Sequence, residues 1–260
     1  MNSIHVIILG IVEGITEFLP ISSTFHLIWT SKFLALAQND FIKLFQVVIQ
    51  GGAIGAVVLL YWKEILMHIS LMKKLIVSFI PTAIIGLLLY KLIKNVFFES
   101  MMATTIVFIV VGMLFILIER YIKSGKLSMT LDISELTYKD AFFIGIFQAL
   151  AVVPGVSRAG AVLVGMLLLG YRRSESAKYS FMLSIPTILA ATAFDLIKMR
   201  DVAFSNTQNS MLLLFGSAIA FVSALVGIKW LISYLQHHSL ELFGWYRIGV
   251  GILLLLALVA

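Results

Sequence analysis

The sequence predicts an all-α polytopic membrane protein. It is read as two inverted-topology repeats, each a re-entrant helical hairpin plus three transmembrane helices. Three observations carry this prediction. First, the 260 residues are 61% hydrophobic and only 12% charged, with a mean hydropathy of +1.06, whereas a soluble domain carries about 25% charged residues. Second, apolar runs near the ~20-residue spanning length recur along the chain. They are Phe41–Trp62, Leu75–Leu92, Met102–Ile118, Tyr179–Ile197, Met211–Leu235 and Trp245–Ala260. Third, each half opens with two shorter apolar runs separated by a polar, proline-containing break. Strands are excluded, because no segment alternates with period two and the runs are too long.

The first short run covers about Ser3–Leu19 and the second about Thr24–Leu36. Pro20 ends the first, because proline lacks an N–H and clashes with the preceding turn. Ser22, Ser23 and Thr24 follow it. Backbone broken at membrane depth is tolerated only inside protein or beside a watery cavity, so this pair reads as a re-entrant hairpin. Phe41–Trp62 is then a full crossing, followed by a loop with Lys63, Lys73 and Lys74. Leu75–Leu92, with Pro81 near its start, and Met102–Ile118 complete the first half. The longest polar loop, Glu119–Asp140, holds Arg120, Lys123, Lys126 and Lys139. The second half repeats the pattern. Ala141–Val153 and Ala159–Gly170 flank Pro154-Gly155-Val156-Ser157-Arg158, and a loop with Arg172, Arg173 and Lys178 leads to Tyr179–Ile197. Met211–Leu235 and Trp245–Ala260 follow.

The halves superimpose in sequence. Gly10-Ile11-Val12-Glu13 matches Gly145-Ile146-Phe147-Gln148, and Pro20-x-x-Ser23 matches Pro154-x-x-Ser157. The chain is therefore one membrane domain over 1–260, with repeat one at about 1–120 and repeat two at about 139–260. Three crossings per repeat require the second copy to insert upside down. One side then receives Lys63, Lys73, Lys74, Arg120, Lys123, Lys126, Lys139, Arg172, Arg173 and Lys178. The other receives Lys32, Lys43, Lys91, Lys94, Lys198 and Arg200. The richer side is expected in the cytoplasm and both termini outside. The formal charge of +6 is thus a topology signal and not a nucleic-acid footprint. The chain has no cysteine, which excludes disulfides and thiol chemistry. A cleavable signal peptide is not expected, since the first run carries Glu13 and Glu17 and has no basic start.

Polar residues inside the two breaks are costly there, and such residues are usually functional. Glu13 and Glu17 lie four apart, on one helix face. Two carboxylates so placed repel unless a cation or a proton lies between them. They could hold a hard divalent cation, Mg²⁺ or alternatively Ca²⁺, together with waters. Ser22, Ser23, Thr24 and His26 bring hydroxyls and an imidazole, and Ser23 with His26 could act as nucleophile and base. The second break brings Ser157, Arg158 and Gly160. Arg158 is read as the only arginine well inside a membrane unit. A guanidinium at a helix N-terminus suits a phosphate group. Together these are parts of a phosphoryl-transfer or hydrolysis site at the membrane. Plainer roles stand beside these. Glu13 and Arg158 could form only a buried ion pair, and the serines and Thr24 could cap helices. His26 could be an interior histidine. Gln46, Gln50, Ser180 and Ser184 could bond between helices, while Asp195, His237 and His238 are assigned to the interfaces.

The stretch Glu13-Gly14-Ile15-Thr16-Glu17-Phe18-Leu19-Pro20-Ile21-Ser22-Ser23-Thr24-Phe25-His26, with Pro154-Gly155-Val156-Ser157-Arg158, resembles the BacA-type undecaprenyl-diphosphate phosphatases. The resemblance covers essentially the whole chain. It implies removal of the terminal phosphate of undecaprenyl diphosphate, recycling of the lipid carrier for envelope polymers, and bacitracin resistance. It also implies a divalent cation, a bacterial inner-membrane location and a site facing outward. By this resemblance Glu13 and Glu17 form the acidic, metal-binding pair. Glu17, Ser23, His26 and Arg158 are catalytic, and Ser22, Thr24, Ser157, Arg158 and Gly160 bind substrate. A homodimer is left open. The sequence departs from the family at Phe25, Ala159, Val162 and Gln46, and loss of a hydroxyl at Val162 is expected to remove a phosphate contact. A prenyl-phosphate flippase, a small-anion transporter and an inactive diphosphate binder are the competing readings.

Overall fold

The computed structural model describes residues 1–37, 39–96 and 100–259. The side chains of 90–96, Lys91 and Lys94 among them, and Ala260 lie outside what is described. The fold is all-helical. Among the described residues eleven α-helices follow in order: α1 Ser3–Thr16, α2 Ser23–Phe33, α3 Asp40–Met67, α4 Ile69–Val96, α5 Met101–Lys123, α6 Tyr138–Ala149, α7 Arg158–Leu168, α8 Arg173–Lys198, α9 Arg200–Ala203, α10 Thr207–His237 and α11 Glu241–Val259. Among the described residues six helices are long and apolar enough to cross a membrane, namely α3, α4, α5, α8, α10 and α11. The chain is a multi-pass membrane protein. Its exterior is lined by exposed Leu, Ile, Val and Phe side chains such as Leu87, Leu214 and Phe194, as a lipid-facing surface requires.

Helix starts follow local chemistry. Asn2, Asn39, Ser100 and Asn206 each accept a backbone N–H three residues on, from His5, Ile42, Ala103 and Asn209, which satisfies a donor otherwise orphaned at a helix N-terminus. At α6, Thr137 and Asp140 form a reciprocal capping box. Several crossings begin or end in charged sequence beyond the apolar run. α4 starts at Ile69 and includes Lys73 and Lys74, α8 starts at Arg173, and α5 continues to Lys123. Glu119, expected in the long polar loop, is instead on α5 and fully buried. Hydropathy marks the membrane-embedded part of a helix, whereas backbone hydrogen bonding carries it on through the interface.

Packing interleaves the halves. α1 lies along α10 and α6 lies along α4, so the first helix of each hairpin is covered by a crossing from the other half. α3 packs on α8 and on α10, and α5 on α11. Close approach is built in at small residues. A Cβ on Gly14 would lie 2.4 Å from the Ala220 carbonyl oxygen of α10. One on Gly145 would lie 2.3 Å from that of Ser78 in α4. The end of α3 meets the start of α8 through Glu64–Lys178 (2.6 Å), and the end of α5 meets the start of α11 through Lys123–Glu241 (2.8 Å). Arg172 pairs with Asp132 nearby, and Glu119 is clasped by Arg173 through two contacts.

Candidate active site

The two breaks meet inside the bundle. α1 ends at Thr16, Glu17 caps it, and α2 resumes at Ser23. α6 and a short 3₁₀ turn, Leu150–Val152, precede Pro154, and α7 resumes at Arg158. Ser22 and Ser157 are the residues just before the restarted helices, and both are left-handed, with φ of 65° and 77°. A non-glycine residue there is strained, and such strain clusters at functional sites. The structure therefore pairs Ser22, not Ser23, with Ser157. This is the same offset that relates Gly10 to Gly145 and Glu13 to Gln148, and Ser23 then stands opposite Arg158 in the repeat. Aligning the prolines places the breaks one residue out of step.

A cavity of about 230 Å³ lies between the breaks. Glu17, Ser22, Ser23 and Thr24 line it from one side, and Pro154, Gly155, Ser157 and Arg158 from the other. Gln50, Thr82, Gln148 and Thr187 add a neutral polar wall. A chain of charged and polar groups crosses this space. Ser23 Oγ donates to Glu17 Oε2 in a short contact, and Arg158 Nη2 donates to Glu17 Oε1 at 3.0 Å. Arg158 Nη1 also reaches the Ser180 carbonyl at 2.8 Å. Arg158 and Glu17 side chains are only 11% and 7% exposed, so this pair is shielded from water. Glu13, one turn deeper, is fully buried, and neither of its carboxylate oxygens has a hydrogen-bond partner.

The other expected site residues are placed as follows. Thr24 is half-buried on the cavity wall. The Ser157 hydroxyl accepts the Gly160 N–H at 3.1 Å, so Ser157 does cap α7, and the Gly160 amide is already engaged. Ser22 makes no side-chain cap. Arg158 pairs with Glu17 and not with Glu13. His26 is not on the cavity and does not bond Ser23. Its Nδ1–H donates to the Ser22 carbonyl at 2.8 Å, and its Nε2 lies 2.8 Å from the Tyr246 hydroxyl. Phe25, expected to narrow the approach to His26, does not line the cavity; it is stacked on Phe108 with centroids 3.8 Å apart and meets the His26 ring edge-on at 5.6 Å. Val162 is fully buried in an apolar cluster with Met166, Tyr171 and Tyr179, away from the cavity, so its missing hydroxyl removes nothing there. Gln46 bonds Ser31 at 2.8 Å and ties α3 to α2. Ser184 bonds within its own helix to Phe181.

Sequence reasoning missed Arg247. It is the largest fully buried side chain, so Arg158 is not the only arginine inside the membrane unit. Its donors reach the carbonyls of Phe108 (3.0 Å), Pro20 (3.0 Å), Val156 (3.3 Å) and Gly155. It is the third residue of the run Trp245–Ala260, at the edge of that apolar stretch. The helix begins at Glu241, which places Arg247 nearly two turns inside.

Fold and site together define a polytopic helical membrane protein in which a carboxylate, a hydroxyl and a guanidinium are linked across a buried cavity. The chain belongs to the family described as "Bacitracin resistance protein BacA", which it matches over residues 6–253. It is 48% identical over 254 residues to an undecaprenyl-diphosphatase of Sulfurihydrogenibium sp., covering 97% of this chain and 98% of that one. It is 47% identical over 256 residues to one of Persephonella marina (98% and 99%). It is 43% identical over 252 residues to one of Aquifex aeolicus (97% of each).

Proposed function

We propose that the chain hydrolyses undecaprenyl diphosphate to undecaprenyl phosphate and inorganic phosphate, the activity in the names of its relatives. It would thereby recycle the lipid carrier for envelope polymers and confer bacitracin resistance. The observation that carries this reading is the Ser23–Glu17–Arg158 chain on a shielded cavity. Arg158 presents fixed N–H donors to the terminal phosphate, and little reorganisation is needed as charge develops on phosphorus. The Ser23 hydroxyl, or a water it orients, attacks the terminal phosphorus. Glu17 takes the proton, and the bond from that phosphorus to the bridging oxygen breaks, leaving the lipid monophosphate; with water as the attacker inorganic phosphate is released directly, and with Ser23 as the attacker a water then hydrolyses the phosphoserine, returning a proton to Ser23 Oγ and releasing inorganic phosphate. Glu17 suits this role better than His26, because Ser23 already donates to it and His26 is committed to Ser22 and Tyr246.

A divalent cation fits the acidic pair. Glu13 has two buried oxygens without partners beside Glu17, and hard cations take carboxylate oxygens. Among the described residues no cluster of three or more metal-type ligands forms, so such an ion would take its other ligands from diphosphate and water. It would supply positive charge to neutralise the diphosphate, and Mg²⁺ is the first candidate, with Ca²⁺ the alternative.

The inverted-repeat reading is supported by two antiparallel meetings of equivalent helices, the end of α3 with the start of α8 and the end of α5 with the start of α11. The basic residues gather at that end, which we assign to the cytoplasm of a bacterial inner membrane, with the termini and the site facing outward. A homodimer is compatible with this reading.

The test is phosphate release from a long prenyl diphosphate by the purified protein in detergent. Release that stops with EDTA and returns with Mg²⁺ is expected. Binding of the lipid diphosphate without any release would instead favour an inactive binder or a flippase.

A further inference from the structure

We infer that α11 is the positioning device of the site. Arg247 directly, and Tyr246 through His26, hold the backbone of both breaks so that Ser23 and Arg158 face one another. The inference rests on the phosphatase reading for its activity tests but not for its labelling test.

The physical need is clear. Each break exposes peptide carbonyls at membrane depth, where an unpaired one is costly. Pro20 and Gly155 cannot place their carbonyls in a continuing helix. Arg247 supplies the donors. Its Nη1 bonds Pro20 O at 3.0 Å and Val156 O at 3.3 Å, and Nη2 bonds Gly155 O. One planar guanidinium therefore spans both breaks, and its rigid fork sets the distance between them. Its Nε is anchored on Phe108 O at 3.0 Å, and its Cζ lies 4.4 Å from the centre of the Phe108 ring. Among the described residues it has no ion-pair partner, so its contacts at the breaks are all to backbone carbonyls.

The neighbouring residue adds a second hold on the first break, at the Ser22 carbonyl, which also accepts the His26 backbone N–H at 3.2 Å. Tyr246 meets His26 Nε2, and His26 Nδ1–H donates to Ser22 O. Ser22 is left-handed, and Ser23 and α2 follow from it directly. Arg158 likewise follows from Ser157, the second left-handed residue. Two strained peptides, one before each functional residue, are thus clamped from a single helix. In this arrangement His26 is a positioning residue and not the proton carrier.

The test combines four substitutions. Arg247→Lys keeps the charge but cannot bridge as a planar fork. It should lower kcat/KM about 100-fold, the scale of a misplacement near 1 Å. Wild-type kcat/KM in this variant would overturn the clamp. His26→Gln and Tyr246→Phe keep the membrane fold gentle to change. Tyr246→Phe should cost about 3–10-fold, the size of one neutral hydrogen bond, and the double variant should match His26→Gln alone, because tyrosine acts through histidine. Multiplying effects would overturn that link. The pH–rate profile of His26→Gln should keep its shape at lower amplitude, and loss of a limb would show that His26 carries a proton instead. Finally, the chain has no cysteine, so Ala151→Cys on the cavity wall is a unique label. Its rate of reaction with a small charged thiol reagent should change at least about 3-fold when Arg247→Lys is added. An unchanged rate overturns the clamp even if wild-type protein releases no phosphate, an outcome that would sink only the phosphatase reading.

Discussion

Arg158 carries two burdens at once. It neutralises Glu17 in a shielded pair on the cavity wall, and in the proposed reaction it is also the group that receives phosphate. Its replacement therefore has a structural and a chemical effect, and the two can be separated. Arg158→Lys keeps the charge near Glu17 but loses the fork that grips two phosphate oxygens. Phosphate release should fall about 100–1,000-fold, as for loss of one donor to developing charge, while the melting temperature stays near wild type. Arg158→Ala should lose both, because it leaves Glu17 as an uncompensated buried charge. The polar residues of the breaks were legible in the sequence because they are out of place in apolar runs. What was not legible is who bonds whom. Spacing put Ser23 and His26 on one helix three residues apart, but their side chains leave it in different directions, one to Glu17 and the other to Tyr246. Arg247 was hidden for a related reason. A residue near the edge of a hydropathy window looks interfacial until the helix start is known.

Among the elements, the hairpin helices α1 and α6 depend on small residues where they touch α10 and α4. Gly145→Ala would drive a methyl against the Ser78 carbonyl and Pro81. Overpacking of this kind costs about 1–3 kcal/mol, so a lower melting temperature in detergent is expected. The start of α6 gives a pH-dependent prediction. Burial acts to raise the Asp140 carboxyl, but the Thr137 hydroxyl and N–H and the Tyr171 hydroxyl outweigh it and hold it below the usual carboxylate range. A depressed folded value contributes stability that is present above the unfolded pKa and lost as pH falls through the folded one. Asp140→Asn should lower stability at neutral pH and flatten its acid dependence below about pH 4. A variant whose acid limb matches wild type would show that these bonds contribute nothing. All ten apolar segments expected from sequence are helices. The first starts at Ser3 as expected, and the other starts lie further out because caps and polar or charged first turns, not hydropathy, decide where a helix begins. The four-residue α9 had no signal at all, being too short for periodicity.

At the scale of the molecule, Glu119 and Arg173 join α5 to α8 at the basic end, and Glu119 also accepts the Leu240 N–H at 2.8 Å. Glu119 is fully buried while Arg173 is partly exposed. Arg173→Met should cost about 3–5 kcal/mol, because it strands a buried carboxylate. Adding Glu119→Leu should recover part of that loss, measurable as a rise in melting temperature over the single variant. The short–break–short units were visible in the sequence, and both breaks are present in the fold. The residue at which each helix restarts was not, because the prolines suggest an alignment one residue away from the left-handed Ser22 and Ser157.

The interleaving of the halves also has a consequence in time. The hairpin Ser3–Phe33 leaves the ribosome well before α10, the helix that covers α1. Until Thr207–His237 inserts, the first break and its buried carboxylates lack their lid, and the chain must hold an unfinished hairpin through most of its synthesis. Chains arrested before α10 should therefore be cut readily by protease near Pro20, while chains released after α11 resist. The candidate site is thus closed by helices made after both of its breaks.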